Sequence, residues 1–310
     1  MNQLVTSFHL RALALCALCT FLVTSCNDDD DGTPLNPIVA ENVSSFKEIA
    51  QITIGGGQAG AAEITAYDAK SQKLFVVNNA GASTIEVVDF ANPASLKLLQ
   101  NIVLTNGAVN SVAAYNGILA AAVENANKQA NGTVEIYDTE TLNLIESVTV
   151  GALPDMVTFS PDGNYIVTAN EGEPSDDYSN DPEGSVSIIS VNNNYSVITA
   201  GFGGFAAQQA SLQNNGLRVF GPNSSLTQDL EPEYVTISSD SKTAWVSIQE
   251  NNAIAKVDLV SGQITNLHLL GFKDYGLAEN AIDVSDRDNV VQFKSWQNVL
   301  HVPTRCHRLF

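Results

Sequence analysis

Residues 232–271, PEYVTISSDSKTAWVSIQENNAIAKVDLVSGQITNLHLLG, decide the fold of this chain. They contain short runs rich in Val, Ile and aromatic residues, and Ser, Asp, Asn or Gly bounds each run. This pattern predicts β-strands joined by tight turns, at Tyr234–Ser238, Ala244–Ile248, Ala253–Leu259 and Gln263–Leu270. A segment of about 40 residues that contains four antiparallel strands has the length of one β-propeller blade.

The same order of strands, turns and polar links occurs upstream, in Glu63–Leu104, Ser111–Val150 and Asp155–Val191. Ser160–Gly172, SPDGNYIVTANEG, resembles the YVTN (WD40-like) class of propeller repeat. Copies spaced by about 40–50 residues indicate blades arranged around an axis. We therefore predict an all-β protein, a β-propeller of four-stranded antiparallel blades, with about four to five blades present in 46–298.

The charge balance bears on the class of partner. The chain of 310 residues has 34 acidic and 14 basic residues, and its formal net charge is −20. A surface this negative repels phosphate backbones, so we predict no nucleic-acid partner. The same surface favours solubility and could attract cations, although a solvated acidic exterior is the favoured explanation.

The N-terminus predicts a membrane anchor. Within residues 1–26, the apolar run Ala12–Val23 is too short to span a bilayer, and Val23-Thr24-Ser25-Cys26 resembles the lipobox of bacterial lipoproteins. That resemblance implies cleavage before Cys26 and acylation of this residue, hence a lipid-anchored lipoprotein. The alternative is an ordinary secretory signal that happens to contain a cysteine.

An acidic segment follows the lipobox. Asn27-Asp28-Asp29-Asp30-Asp31-Gly32 repels itself and stays extended, so residues 27–45 are predicted to be a flexible tether. This run resembles the export signal of some Gram-negative outer-membrane lipoproteins, which implies a surface-exposed or periplasmic location. A plain solvated linker is the alternative.

Residues 192–231 interrupt the repeat between its third and fourth copies. They include the Gly-rich GFGGF at Gly201–Phe205. These glycines do not follow a strand and open a helix, so a dinucleotide site is not indicated. Insertions between strands commonly lie on the functional face, and we expect the same here.

Two groups of polar residues are candidate sites. The first is an acidic loop whose oxygen ligands suit Ca²⁺, although its spacing is not that of an EF-hand and a solvated loop is the alternative: Glu171, Glu173, Asp176, Asp177, Asp181 and Glu183. The second is a ligand rim, formed if the links between strands gather at one end of the blades: Glu124, Asn125, Asn170, Glu231, Glu233, Glu250 and Asn251.

Nucleophilic and zinc chemistry have little support in the sequence. His268, the one histidine of the repeat region, lies inside a predicted strand, and no G-x-S-x-G elbow or zinc-type cluster of His and Cys occurs. A calcium-dependent phosphoesterase needs carboxylates together with basic groups that bind phosphate. Carboxylates are plentiful here, whereas Lys and Arg are sparse.

A long stretch resembles a known family. LRVFGPNSSLTQDLEPEYVTISSDSKTAWVSIQENNAIAKVDL, followed by LGFKDYGLAENAIDVSDRD, is similar to the choice-of-anchor I family of secreted bacterial propellers, and the resemblance runs from about Ile64 to Trp296. It implies a seven-bladed propeller at the cell surface. Relatives resemble mesenchyme-specific cell-surface glycoproteins, and some are labelled alkaline phosphatases.

Two functions therefore stay open. The first is a lipid-anchored surface or periplasmic module that binds an unknown surface ligand or protein without chemistry. The second is a Ca²⁺-dependent phosphoesterase of alkaline phosphatase or phytase type. The absence of catalytic motifs favours the first, and the resemblance keeps the second open.

The C-terminus departs from the family pattern. Residues 299–310 end in LHVPTRCHRLF, which is basic and holds two of the four histidines. Suitable codons for this stretch, read one base along, give CMYQPDAIAS, which is the continuation that the resemblance implies. We therefore expect a frameshift near Val299, and exposed sheet edges in a propeller that lacks its last blades.

Overall fold

The computed structural model describes residues 47–55, 61–285, 287–296 and 300–301. The described residues from Ile49 onward belong to one compact unit. The predicted signal peptide with Cys26, the tether and residues 302–310 of the predicted aberrant tail lie outside the described residues. Among the residues described, none forms a helix long and apolar enough to cross a membrane.

Four antiparallel sheets follow one another along the chain, and we call them blades 1 to 4. Blade 1 contains β1 (Thr65–Asp68), β2 (Lys73–Asn78), β3 (Thr84–Asp89), β4 (Lys97–Leu98) and β5 (Ile102–Val103). Blade 2 contains β6 (Val109–Tyr115), β7 (Ile118–Val123), β8 (Asn131–Asp138) and β9 (Leu144–Ala152). Blade 3 contains β10 (Pro154–Phe159), β11 (Tyr165–Asn170), β12 (Ser185–Ser190) and β13 (Ser196–Gly201). Blade 4 contains β14 (Tyr234–Ile237), β15 (Thr243–Ile248), β16 (Ala253–Asp258) and β17 (Gln263–Leu269).

Short elements complete the described chain. A 3-10 helix (Gly203–Gln208), α1 (Gln209–Asn214) and α2 (Leu226–Asp229) connect blade 3 to blade 4. After blade 4, β18 (Lys273–Asp274) and β19 (Leu300–His301) form a two-stranded ribbon, and a second 3-10 helix spans Ala278–Asn280. The predicted propeller fold of four-stranded blades is confirmed, with β4 and β5 both paired to β3 as the outer edge of blade 1. The described sheets form a series that does not close into a ring.

The stretch 192–231 is not a single insertion. Its first part forms β13, which pairs with β12 from Ser190↔Ser196 to Ser185↔Gly201 and so provides the outer strand of blade 3. The turn before β13 contains Asn194 and Tyr195, both with positive φ. Asparagine tolerates this backbone conformation, whereas tyrosine seldom adopts it, so the turn is hard to recognise from sequence. Only the part after β13 lies outside the repeat.

Blades pack face to face. The first strands β1, β6, β10 and β14 lie side by side in that order, and three buried apolar clusters fill the spaces between consecutive blades. The middle strands of blades 2 and 3 are buried on both faces, because each carries apolar residues at successive positions. The first strands therefore run along the inner side of the array.

Turns of neighbouring blades are joined by hydrogen bonds. The Asp68 carboxylate accepts from Gly117 N at 3.0 Å and from Thr139 Oγ1 at 2.7 Å, which ties blade 1 to blade 2. Burial raises the pKa of Asp68, but the hydrogen bonds to its carboxylate outweigh this effect and the net pKa is lowered. Asp162 N donates to Ser241 Oγ at 3.1 Å and ties blade 3 to blade 4. Relative blade positions are thus fixed at this end.

Candidate functional site: an acidic rim on blades 3 and 4

Each blade begins its inner strand with a polar residue at the same position. In each blade, this polar residue lies two positions before an inner-strand residue that pairs with the second strand. The paired residues are Thr65, Val112, Val157 and Val235. These polar residues are Glu63, Asn110, Asp155 and Glu233. Three of the four are acidic, so the repeat places carboxylates at one end of the inner strands.

The links after the middle strands add carboxylates at the same end. Because β10 and β11 are antiparallel and Pro154 pairs with Asn170, the start of β10 lies beside the end of β11. Glu171 follows β11 directly. In blade 4, β14 and β15 have the same arrangement, and Glu250 lies just beyond β15. We call Asp155, Glu171, Glu173, Glu233 and Glu250 the acidic rim.

Glu171 is the centre of this rim. Burial raises the pKa of the Glu171 carboxyl to about 8, and the negative charges of Asp155, Glu173, Glu233 and Glu250 add to the effect. Burial is the largest cause of this shift, and the neighbouring negative charges disfavour ionisation of Glu171 in the same direction. The charged form of Glu171 is therefore disfavoured relative to an exposed glutamate.

Backbone contacts fix the position of Glu171. Its N–H donates to Leu153 O at 2.8 Å, and Gly172 N donates to Ala152 O at 3.1 Å. Farther along the loop, Gly184 passes so close to Leu230 that an added Cβ would lie 2.0 Å from the Leu230 carbonyl oxygen. Only glycine permits this approach, which draws the loop onto the segment before blade 4.

The predicted acidic loop separates into distinct places. Glu171 and Glu173 belong to the rim. Asp176 and Asp177 are exposed at the loop tip, where Asp177 accepts from Ser179 N at 3.0 Å. The hydrogen bonds that Asp177 accepts lower its pKa to about 2.

The base of the loop contacts the segment that contains α2. Asp181 accepts a hydrogen bond from Ser224 Oγ, and Glu183 accepts from Thr227 Oγ1 at 2.8 Å. Within 47–55, 61–285, 287–296 and 300–301, no group of three or more His, Cys, Asp or Glu side chains is arranged to hold a metal ion. The six carboxylates proposed from sequence as calcium ligands are thus held in three separate environments.

Two residues of the predicted ligand rim lie in blade 2. Asn110 Nδ2 is 3.5 Å from Glu124 Oε2 and 3.2 Å from Pro154 O, so Glu124 lies at the blade 2 to blade 3 boundary. Glu124 also lies 4.0 Å from Lys128 Nζ. Asn125 donates to Asn131 O at 3.2 Å and so holds its own loop.

Three further residues of that prediction are buried parts of the scaffold. Asn170 donates to Ser185 Oγ and Ser187 Oγ at 3.1 and 3.0 Å. Asn251 accepts from Glu231 N at 3.1 Å through Oδ1. Asn170 and Asn251 have no exposed surface and Glu231 has 7%. Only Glu233 and Glu250 of this set join Glu171 in the acidic rim.

Asp155 is a rim residue that the sequence analysis missed. Its signal was present, because Pro154-Asp155-Met156-Val157-Thr158 matches Pro232-Glu233-Tyr234-Val235-Thr236 position by position in the acidic residue and the Pro, Val and Thr around it. Once Glu233 is selected, the repeat selects Asp155 as well.

A family model, described as the choice-of-anchor I domain, matches residues 63–303. Comparison with curated proteins gives no match. Among solved structures, the chain is similar to one titled Kuenenia stuttgartiensis Hydrazine Synthase, with 13% sequence identity, a TM-score of 0.40 and coverage of 64% of this chain and 65% of that chain. The chain thus spans slightly less than two thirds of that structure, and a likeness of this extent carries no functional argument.

Proposed function

The chain belongs to the choice-of-anchor I family, and from this premise we propose that it is a surface-associated β-propeller module that binds its ligand or partner through a divalent cation at the acidic rim. Ca²⁺ is the first candidate, because the rim offers carboxylate oxygens and Ca²⁺ accepts several of them in flexible geometry. Since the carboxylates of the described residues are not arranged to hold an ion, a bound ion must draw the rim side chains together. This function requires no nucleophile or general acid from the chain.

One observation carries the proposal: burial, together with the negative charges of four other carboxylates from two blades, raises the pKa of Glu171. Like charges gathered in this way cost free energy unless a proton or a cation compensates them. Without a cation, the proton on Glu171 provides part of that compensation. A cation that enters the rim displaces this proton, so binding of the cation and release of the proton are linked.

Calcium titration of the full chain by isothermal calorimetry tests the proposal. We expect a dissociation constant on the order of 10⁻⁴ to 10⁻³ M, as in other extracellular modules, and tighter binding at pH 8.5 than at pH 6. Glu171→Gln should weaken binding at least tenfold. Asp177→Asn, which removes an exposed carboxylate from the same loop, should leave binding unchanged. Equal affinity in Glu171→Gln and the wild type would refute the proposal.

The phosphoesterase alternative shares this experiment. Calcium-dependent hydrolysis of p-nitrophenyl phosphate that is lost in Glu171→Ala would replace the binding function by an enzymatic one. Absence of turnover with Ca²⁺, Mg²⁺, Mn²⁺ and Zn²⁺, together with calcium binding, supports the binding module.

We also propose that Cys26 carries the lipid anchor of an outer-membrane lipoprotein. The support is its position after Val23-Thr24-Ser25. Metabolic labelling with a fatty acid should mark the wild type, and Cys26→Ser should abolish both the label and sedimentation with membranes. Cys306→Ser should change neither, and a label that persists in Cys26→Ser would contradict the anchor.

A further inference from the structure

A cavity lies at the opposite end of the inner strands from the acidic rim. Its volume is about 320 Å³, and it is formed where β6, β10 and β14 reach the turns at their ends. Along β10, the lining residue nearest the rim is Thr158, three residues and about 10 Å of extended strand from Asp155. Along β14, it is Val235, two residues from Glu233. The cavity is open to solvent on one side, its volume is at the lower end of the range of small-molecule sites, and no rim carboxylate lines it.

Two aromatic rings form part of the cavity wall. Tyr115 and Phe159 stack with ring centroids 5.7 Å apart and an interplanar angle of 26°. The Tyr115 ring packs directly against Gly163, because a Cβ added to Gly163 would lie 2.1 Å from Cε1 of Tyr115. Since the Asp162 N–H is bonded to Ser241, residues from three blades position this wall. The rings are therefore held by the packing of the turns.

Polar groups provide the rest of the lining. Thr158 and Thr236 line the cavity, and each hydroxyl can both donate and accept a hydrogen bond. Within the described residues, β6, β10 and β14 are the first strands of their sheets and pair on one edge. The other edge of such a strand presents backbone N–H and C=O groups. The cavity therefore offers donors and acceptors beside apolar surface.

The lining carries no charge. Apart from the two aromatic rings and the two threonines, the lining residues are Ala, Val, Ile, Ser and Pro. This contrasts with a chain of net charge −20, whose field opposes the approach of anions. An uncharged lining gives no partner to an ionised group that leaves water, so a neutral ligand is favoured.

We propose that this cavity binds a neutral, hydroxyl-bearing ring such as a single sugar unit. The ring's apolar face packs on Tyr115 and Phe159, and its hydroxyl groups bond to Thr158 and Thr236. This site does not depend on the acidic rim, because no rim carboxylate lines the cavity.

Saturation-transfer NMR on the full chain tests the proposal with methyl β-D-glucoside as the probe. We expect transfer to the ring protons, and none to glucuronate, which has the same ring with a carboxylate. Tyr115→Leu should reduce the transfer at least fivefold, and Thr236→Val at least twofold. Thr265→Val, which alters an exposed threonine on the outer strand of blade 4, is the matched control and should have no effect.

Each result decides for or against the site. Absence of transfer to the glucoside, or equal transfer to glucuronate, overturns the proposal. Transfer that is unchanged in both Tyr115→Leu and Thr236→Val places the sugar elsewhere and also overturns it. Because Thr236 is exposed on an edge strand, Thr236→Val is expected to fold even if Tyr115→Leu does not. Addition of 10 mM EDTA should leave the transfer unchanged, which separates this site from a cation-dependent rim.

Discussion

The two ends of the inner strands carry acidic residues in opposite states. At the turn end, Asp162 accepts hydrogen bonds from Ser160 Oγ at 2.6 Å and Asn164 N at 3.0 Å, and these contacts lower its pKa. At the rim end, burial and the charges of other carboxylates raise the pKa of Glu171. Hydrogen bonds within a turn therefore stabilise the charged form of Asp162, whereas burial and other carboxylates destabilise the charged form of Glu171. Charge alone does not identify a site; the partners of each charge do.

The largest expected effect comes from removing the close approach that assembles the rim. Gly184→Ala places a Cβ 2.0 Å from the Leu230 carbonyl oxygen, and backbone on both sides must shift to relieve the contact. We expect a loss of about 4 kcal/mol in the free energy of unfolding, measured by urea denaturation. Gly203→Ala is the control, since no atom lies within 4 Å of its added Cβ. Equal stability of the two variants would show that the contact is not needed.

The second effect concerns the segment that carries Glu231 and Glu233 into blade 4. Asn251 Nδ2 donates to Asp229 O at 2.6 Å and Arg218 O at 3.1 Å, and Asn251 is fully buried. Asn251→Ala leaves these acceptors without their donor, so we expect a loss of about 3 kcal/mol. Chemical denaturation measures this loss, and the exposed Asn266→Ala should lose less than about 0.5 kcal/mol. A stable Asn251→Ala protein would contradict this role.

The third effect is a change in pH dependence. The pKa of Glu171 is raised from 4.5 to about 8, so the folded state binds more protons than the unfolded state across this window. Stability is therefore lost as pH rises through it. Glu171→Gln should match the wild type below the unfolded-state pKa of 4.5 and should already be slightly more stable at pH 5. It should exceed the wild type by roughly 2 kcal/mol at pH 9, less than the full shift implies because the carboxylates can move apart.

Urea denaturation at pH 5, 7 and 9 measures this difference. Asp177→Asn serves as the control, because a pKa lowered to about 2 contributes stability that is lost only in acid. The stability of this variant should therefore follow the wild-type dependence from pH 5 to 9. Parallel pH curves for the wild type and Glu171→Gln would show that the rim carboxylates are too far apart to interact.

The smallest effect belongs to the uncharged end. Gly163 has φ +72°, and a Cβ there would meet the Tyr115 ring, so Gly163→Ala should cost roughly 1 kcal/mol and displace the ring. Gly81→Ala has the same kind of backbone cost, with φ +109° and no atom within 4 Å of the added Cβ. Thermal unfolding should give a larger loss for Gly163→Ala than for Gly81→Ala, because only the Gly163→Ala methyl group must displace a packed ring, and glucoside binding should fail only in Gly163→Ala. Binding retained in Gly163→Ala would remove the Tyr115 ring from the site.

The blades could be predicted because their information is local. A run of β-branched residues between two turns indicates a strand without knowledge of distant contacts. The turn SPDG at Ser160–Gly163 is one such boundary. β13 was missed for a local reason too: Asn192-Asn193-Asn194 precedes it, and SVITAG at Ser196–Gly201 has only one strongly buried position. A polar turn followed by a weakly apolar strand resembles an insertion.

The candidate site was less predictable than the fold. Glu171, Asp176 and Asp177 are equivalent in a composition count, yet only Glu171 faces other carboxylates. This difference depends on the register that brings Pro154 opposite Asn170, and register is a property of the sheet. Asn251 was selected for its polarity, whereas its burial makes it a support for the chain around it.

Each blade is built from one uninterrupted stretch of chain, and this has a consequence in time. Blade 2 begins at Val109 and ends at Ala152, and none of its strands waits for a partner from a distant part of the sequence. Short loops close fast, so a blade can form within the interval in which the next one is still being delivered. A cell-surface or secreted chain emerges from its translocation machinery one end first. The blades can therefore fold in the order in which they emerge, and each folded blade provides the surface on which the next blade packs.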